Sequence, residues 1–220
     1  LTPGSFTKIV TKNDNIQEFN LENGIQVILI EDPNADKISI RGFQKKGFMD
    51  MDQIDKYSIS NAPAIIKHAG MGQFDKFQID RFLDSMNVNL HFVPYIKSNE
   101  SGLKGHSEVK DFEYLLQMIH LYFSEPRYDV NAFKHWKKRQ HQNYLRVGAE
   151  SRDVNNAVDH FFGKPKAGFH DGTFHYQGTQ KASLSGAHEA FNTIFSDFSD
   201  FKFIIYGPIE KERVLPVISI

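Results

Sequence analysis

Cysteine is absent from this chain of 220 residues, and its absence excludes several kinds of chemistry at once. A chain without thiols has no disulfide framework, no thiolate metal site and no cysteine nucleophile. The absence does not assign a cellular compartment, because proteins without disulfides occur in every compartment.

Long apolar runs and an excess of one charge are also missing. The longest apolar stretches, such as residues 25–30 with Gln26 inside, are far shorter than the roughly 20 residues of a membrane-spanning helix. The formal net charge of −1 provides no overall field that would attract nucleic acid or an anionic membrane. The first residues, Leu1 to Gly4, show neither an initiator methionine nor a signal-peptide pattern, so we expect a piece of a longer protein.

What the chain does contain is enough apolar material for a folded core. Hydrophobic residues make up 40% of the sequence, and 20 phenylalanines stand against one tryptophan. This composition is typical of a globular domain and predicts a core filled mainly by phenylalanine.

Turn signals and alternating apolar residues predict the strands. Asn23-Gly24 between two apolar runs is a strong hairpin signal, so residues 16–21 and 25–31 are expected to pair. Alternation also predicts a strand with one wet face at residues 38–46. Further strands are predicted at residues 88–92, 100–107 and 201–206.

Apolar residues at helical spacing predict several helices, of which residues 109–124 are the clearest. The others are predicted at residues 53–69, with Pro63 inside, and at 75–86, 130–147, 151–162 and 183–195. A last helix should begin within residues 210–220 and be truncated by the chain end. Residues 163–182 are interpreted as a loop, and residues 1–15 as a linker or arm.

The order of these elements predicts the fold class. Strands that are joined by tight turns cannot be parallel neighbours. We therefore expect an α+β fold with a mostly antiparallel sheet and helices packed on one face, forming a single module over residues 16–220.

The ten histidines do not form a recognisable zinc motif. Helical zinc sites of peptidases use H-E-x-x-H or the inverted H-x-x-E-H, and no glutamate in this sequence precedes a histidine. His188-Glu189 is followed by Asn192 at the second histidine position, so an ordinary amphipathic helix is the better interpretation. His170 and His175 lie in the predicted loop, where adventitious nickel or zinc is the alternative to plain solvation. The sequence also lacks a G-x-S-x-G elbow and a phosphate-binding loop. We therefore predict no catalytic and no metal-binding residue, and the sequence identifies no substrate-binding residue.

Residues 131–149 are basic and contain no acidic residue. Lys134, Lys137, Lys138, Arg139 and Arg146 accompany Trp136 there. One interpretation is a surface for an acidic partner or nucleic acid. The favoured one is a solvated helix face, because the whole chain is nearly neutral. Trp136 is then expected to be a core or domain-interface anchor.

Several segments together resemble modules of the pitrilysin/insulinase family of zinc metallopeptidases. They are Leu21-x-Asn23-Gly24-Ile25 with the strand that ends at Gly47, the turn His68-Ala69-Gly70-Met71-Gly72-Gln73-Phe74, the helix of residues 115–124 with its Pro126-Arg127 exit, and residues 195–207, where a helix ends before a strand rich in phenylalanine. Their order and spacing most resemble the third of four modules in the long, PqqL-like bacterial members. The resemblance implies an α+β metallopeptidase module.

The chain departs from the family pattern at the positions that would hold zinc. In catalytic modules the inverted motif lies on the helix after the second strand, which corresponds here to residues 57–68. That segment offers no paired histidine ligands and no glutamate base. The family's third ligand is a glutamate on a later helix, and residues 131–149 have no acidic residue.

The resemblance therefore implies a non-catalytic, lid-type module that binds no cofactor itself. Its partners would be the catalytic, zinc-containing half of the same parent chain and the peptide substrate of that parent, with no nucleic acid and no membrane span. The parent is expected to be a bacterial zinc metalloendopeptidase that is either periplasmic or exported, and the localisation of the chain itself is left unassigned. Two alternatives stay open: a peptide-binding or scaffold module of a parent that has lost peptidase activity, and an unrelated binding module that uses the basic helix.

Overall fold

The computed structural model describes residues 6–13, 15–22, 24–146, 176–197 and 199–209. The helices predicted at residues 151–162 and 210–220 lie outside these ranges, and so do residues 163–175 of the predicted loop.

The described residues form one seven-stranded sheet. The strands are β1 (Phe6–Asn13), β2 (Ile16–Leu21), β3 (Gln26–Glu31), β4 (Ile38–Gln44), β5 (Leu90–Ile96), β6 (Ser101–Ser107) and β7 (Lys202–Gly207). Their spatial order is β1-β2-β3-β7-β4-β6-β5. All neighbours are antiparallel except β3 and β7, which pair in parallel. The prediction of a mostly antiparallel sheet is confirmed, and the one parallel pair joins strands far apart in the sequence, which no tight turn constrains.

The described residues also form six α-helices. They are α1 (Lys56–Ala69), α2 (Lys76–Ser85), α3 (Phe112–Ser124), α4 (Val130–Arg146), α5 (Tyr176–Lys181) and α6 (Leu184–Phe195). Short 3₁₀ turns at Phe48–Asp50 and Val109–Asp111 precede α1 and α3. The predicted helices that fall on described residues, at 53–69, 75–86, 109–124, 130–147 and 183–195, are confirmed within a few residues at their ends. No helix of the described residues is long and apolar enough to cross a membrane.

Two predictions of irregular structure are wrong. Residues Phe6–Asn13, expected to belong to an arm, form β1 and pair with β2, because threonine, valine and isoleucine suit a strand beside an open sheet edge. Residues Tyr176–Lys181, expected to belong to a loop, form α5 directly before the N-cap of α6. A single helical turn of this length is too short to show a periodic apolar pattern.

The helices cover one face of the sheet, as the burial of alternate residues shows. Val27 and Leu29 of β3 and Phe203 and Ile205 of β7 are buried, whereas Tyr206 is exposed. Arg41 and Ser39 of β4 are likewise exposed. We call the uncovered side, which carries Ser39, Arg41 and Tyr206, the open face of the sheet.

Phenylalanine fills much of the core between sheet and helices, as the composition predicts. Phe123, Phe191, Phe195 and Phe201 form a chain of rings, with centroids 4.9 Å apart between Phe123 and Phe195 and 4.8 Å apart between Phe191 and Phe195. Tyr122 joins them with its ring 5.0 Å from that of Phe191 in an edge-to-face contact. This cluster anchors α3 and α6 to each other.

Candidate functional site

Helix α1 is the element on which the family resemblance would place a zinc motif. It begins after Asp55, whose side chain accepts a hydrogen bond from the Ser58 N–H at 2.9 Å, and it ends at Gly70 with φ of 100°. Its buried side chains are those of Ser58, Ile59, Asn61, Ala62, Pro63, Ile65, Ile66 and Ala69. No imidazole or carboxylate belongs to this buried set, so the buried side of α1 lacks the groups that bind zinc in peptidases.

Helix α6 closes over the first half of α1 through small polar residues. The Ser183 N–H donates to Ser58 Oγ at 2.9 Å, and Ser183 Oγ in turn accepts the Gly186 N–H at 3.1 Å as the N-cap of α6. A Cβ atom at Gly186 would lie 2.9 Å from Ser58 Oγ, so only glycine permits this approach. The polar side chain of Ser58 is therefore used to join two helices.

Asn61 is the other buried polar residue of α1, and it also serves the backbone. Its Nδ2 donates to the Tyr57 carbonyl at 2.8 Å, one helical turn earlier. Because amide and hydroxyl oxygens replace the imidazole nitrogens and carboxylate that zinc requires, the buried residues of α1 do not fit a peptidase zinc centre.

His68 lies at the end of α1, half-buried among positive charges. Burial lowers the pKa of His68, and the charges of Arg139, Lys76 and His135 lower it further. Over the residues that the structure describes, no group of three or more histidine, aspartate or glutamate side chains is arranged to hold a metal ion.

His188, the histidine of the one His-Glu pair, has a structural contact. Its Nε2 lies 3.1 Å from the Arg127 carbonyl oxygen, and its ring centroid is 4.7 Å from that of Tyr128. Burial lowers the pKa of His188, and the hydrogen bond to Arg127 opposes this shift. Asn192 is exposed, and the opposite side of α6 is buried, which confirms the amphipathic helix. His170 and His175 lie outside the described residues.

The basic segment forms α4, and the structure separates its residues into anchors and surface cations. Trp136 is 2% exposed and stacks on Phe133 with ring centroids 6.0 Å apart, which confirms its prediction as a core anchor. Lys137 donates to the Gln180 carbonyl at 2.8 Å and lies over the Phe133 ring. The exposed cations of this helix are Lys134, Lys138, Arg139 and Arg146.

A cluster of polar residues on the open face was not predicted from the sequence. The Tyr95 hydroxyl donates to Glu100 Oε1 at 2.7 Å, and Arg41 Nη2 binds the same oxygen at 3.2 Å. Burial, followed by the hydrogen bond to Glu100, raises the pKa of Tyr95 to about 12. The sequence gives no sign of this cluster, because only the register of β4, β6 and β5 brings the three residues together.

The same face carries two histidines and an open cleft. His91 and His106 stand opposite each other on β5 and β6 with ring centroids 5.8 Å apart. Nearer the β1 edge of the sheet lies a cleft of about 810 Å³, which is bordered by Glu31, Asp32, Pro33, Asn34 and Tyr206. The Tyr206 hydroxyl donates to Asp32 Oδ2, and this bond, with the Asn34 N–H, lowers the pKa of Asp32.

Sequence comparisons give no relatives for this chain: no protein-family model matches it, and no curated protein matches it either.

Comparison of structures does find relatives. The periplasmic protease PqqL from Escherichia coli matches 99% of this chain with a TM-score of 0.72 and 16% identity, and pitrilysin matches 99% with a TM-score of 0.67 and 13% identity. A peptidase M16 inactive domain from Pseudomonas fluorescens matches 93% with a TM-score of 0.67 and 11% identity. The chain spans 24% of the PqqL and pitrilysin chains and 49% of the inactive-domain chain.

These likenesses extend over nearly all of the chain. The chain therefore has the fold of a single module of the pitrilysin-type, or M16, peptidases.

Proposed function

We propose that this chain is a non-catalytic module of a longer zinc-dependent peptidase and that it helps to enclose the peptide substrate. The observation that carries the proposal is the set of side chains on the buried side of α1. The helix is formed and packed in an M16-type module, yet its buried residues are hydroxyl, amide and aliphatic groups, with no imidazole or carboxylate.

The lengths of the structural relatives support a longer parent chain. The module corresponds to about a quarter of PqqL and of pitrilysin, and to about half of structures that hold half-proteases or an inactive domain. On this proposal, the zinc ligands and the general base belong to another module of the same parent, and peptide is held between the two halves.

A module without catalytic groups contributes to peptidase activity through geometry. Closing a site around a peptide removes water from the reacting bond and holds the chain near the catalytic groups. A wall of this kind has to be stiff, and the close packing of Phe123, Phe191, Phe195 and Phe201 in the helix layer supports this role.

The first experiment measures zinc content and cleavage of an internally quenched peptide library by the isolated chain and by its full-length parent. We expect stoichiometric zinc and chelator-sensitive cleavage in the parent, and neither in the isolated chain. Stoichiometric zinc in the isolated chain, with cleavage that a chelator abolishes, would contradict the proposal. Absence of cleavage by a parent that lacks H-x-x-E-H would instead favour the scaffold alternative.

The second experiment tests enclosure. The parent is produced without this module, and zinc content and cleavage are compared with those of the intact protein. We expect zinc to be retained and cleavage to fall, because the metal ligands lie elsewhere while the wall of the chamber is missing. Unchanged cleavage by the truncated, zinc-loaded protein would show that this module does not enclose the substrate.

A further inference from the structure

Two histidines stand side by side on the open face of the sheet, outside the helix layer and away from α1. His91 on β5 is directly opposite His106 on β6, their ring centroids are 5.8 Å apart, and their planes are tilted by 45°. His91 is exposed and His106 is partly exposed. Neither belongs to the hydrophobic core, so packing does not account for the pair.

The strand ladder fixes the position of this pair. Pro94 has no N–H and stands opposite Leu103, so that position lacks the reciprocal hydrogen bonds of the antiparallel ladder. The reciprocal hydrogen bonds must therefore belong to the residue pairs one position away on either side. The bond from the Glu108 N–H to the Asn89 carbonyl at 3.2 Å belongs to this set. His91 and His106 belong to this hydrogen-bonded set, in which opposite Cα atoms are about 5.5 Å apart.

We propose that His91 and His106 together bind one divalent transition-metal ion of the class that prefers imidazole, such as Cu²⁺, Ni²⁺ or Zn²⁺. Such ions bind an imidazole nitrogen at about 2.0–2.1 Å, and ring centres 5.8 Å apart are close enough for both rings to bind one ion. Water or a group from another molecule fills the remaining coordination positions.

Charged side chains lie on positions of the sheet close to the pair. Lys104 of β6 and Glu108, just after β6, are each two residues from His106. Glu108 accepts a hydrogen bond from Asn89 Nδ2, and its Oε2 lies 3.3 Å from Lys110 Nζ. Two protonated imidazoles in this arrangement repel each other, whereas neutral rings can share a cation.

The described residues supply two ligands and no third, which sets the expected selectivity. A two-imidazole site binds less tightly than a structural zinc centre, and its affinities should follow the general order in which Cu²⁺ exceeds Ni²⁺ and Zn²⁺. This inference does not depend on the proposed peptidase role, because it concerns a different face of the module.

The test is titration of the tag-free full chain with Cu²⁺ and Ni²⁺ at neutral pH by calorimetry, with the thermal midpoint as a second readout. We expect one ion per chain at this site and a higher thermal midpoint with the ion, since an ion that binds only the native state stabilises it. His91→Gln and His106→Gln should each weaken binding by about tenfold or more. The matched control is His120→Gln, which changes a histidine on α3 and should leave the affinity unchanged.

A second control addresses the other histidines. The double substitution His170→Gln with His175→Gln should leave the site of higher affinity intact, and the Cu²⁺ electron paramagnetic resonance spectrum should show two nitrogen ligands that become one in His91→Gln. Circular dichroism of each variant checks that the sheet is retained. Binding that survives both His91→Gln and His106→Gln, or that disappears only in the double variant, would overturn the inference.

Discussion

The ammonium group of Lys67 lies at a largely buried position, where desolvation disfavours its charged form. It extends from α1 over the Phe92 ring, with Nζ 4.3 Å from the ring centroid, and it donates to the Phe92 carbonyl. Burial is the main cause that lowers its pKa from 10.5 to about 8, and the nearby Lys76 adds to the effect. Desolvation therefore outweighs the favourable contacts of the charged form.

This shift predicts a pH-dependent stability with a defined sign. Below pH 8 both folded and unfolded chains carry the Lys67 proton, and the cost of burying the charge is fully present. Between pH 8 and 10.5 the unfolded chain binds more protons, so the contribution of Lys67 to the free energy of unfolding rises with pH, by about 3 kcal/mol in all.

The measurement compares urea unfolding of wild type and Lys67→Met from pH 7 to pH 10. The variant should be more stable relative to wild type at pH 7 than at pH 10, because methionine has no charge to bury. Lys56→Met, an exposed lysine on the same helix, is the control and should show no comparable trend. A stability difference for Lys67→Met that does not change with pH would contradict the prediction.

Tyr122 gives a second test at the scale of one atom. The residue is fully buried, and its hydroxyl donates to the Pro63 carbonyl at 3.0 Å, which links α3 to α1. Tyr122→Phe retains the ring contacts and removes this bond, so the free energy of unfolding should fall by about 1 kcal/mol. Tyr128→Phe, at a side chain that is 58% exposed, should change it much less. Equal effects would mean that the buried hydrogen bond adds nothing to stability.

At the scale of elements, the turn after α1 depends on two glycines with different constraints. Gly70 has φ of 100°, and a Cβ atom there would lie 2.2 Å from the Phe74 carbonyl oxygen. Gly72 has φ of 54°, and the nearest atom to its Cβ position is Glu125 Oε2, at the end of a flexible side chain. The first clash involves backbone and cannot be relieved by a change of rotamer.

These constraints predict unequal effects of the same substitution. Gly72→Ala should lower the free energy of unfolding by about 1 kcal/mol, the usual cost of a left-handed conformation for alanine. Gly70→Ala should lower it by more, about 3 kcal/mol, because its conformation is almost restricted to glycine and its Cβ has no space. Urea unfolding of the two variants measures the difference, and equal losses would contradict the backbone origin of the constraint.

The sequence patterns predicted the positions of the helices and strands along the chain better than they predicted the packing partners of those elements. The apolar residues of α2 have helical spacing and the helix is present, yet Phe77 is 75% exposed and Phe82 is 49% exposed. Periodicity identifies residues that share a face but contains no information on the partner of that face. For the same reason, Ser58 and Gly186 could not be recognised as a helix contact before α1 and α6 were seen together.

At the scale of the whole molecule, the sequence predicted fold class but not strand order. The hairpin of β2 and β3 follows from Asn23-Gly24, because a tight turn pairs its own strands. The insertion of β7 between β3 and β4 brings together residues more than 150 positions apart, which no local signal encodes. The His91–His106 pair likewise depends on the register of β5 and β6, whereas the lack of a zinc motif was already visible in the sequence.

The single core predicts how the whole module unfolds. Trp136 is the one tryptophan of the chain, and although it lies on the polar helix α4 it is buried in the hydrophobic cluster that runs from Phe19 of β2 to Ile209. If that cluster is one cooperative unit, tryptophan fluorescence and far-ultraviolet circular dichroism should report the same urea midpoint. Low acrylamide quenching in the absence of urea checks that Trp136 is buried at the start. A fluorescence transition at lower urea than the circular dichroism transition would show that α4 separates first, and the basic helix would then be an attachment to the module instead of a part of its core.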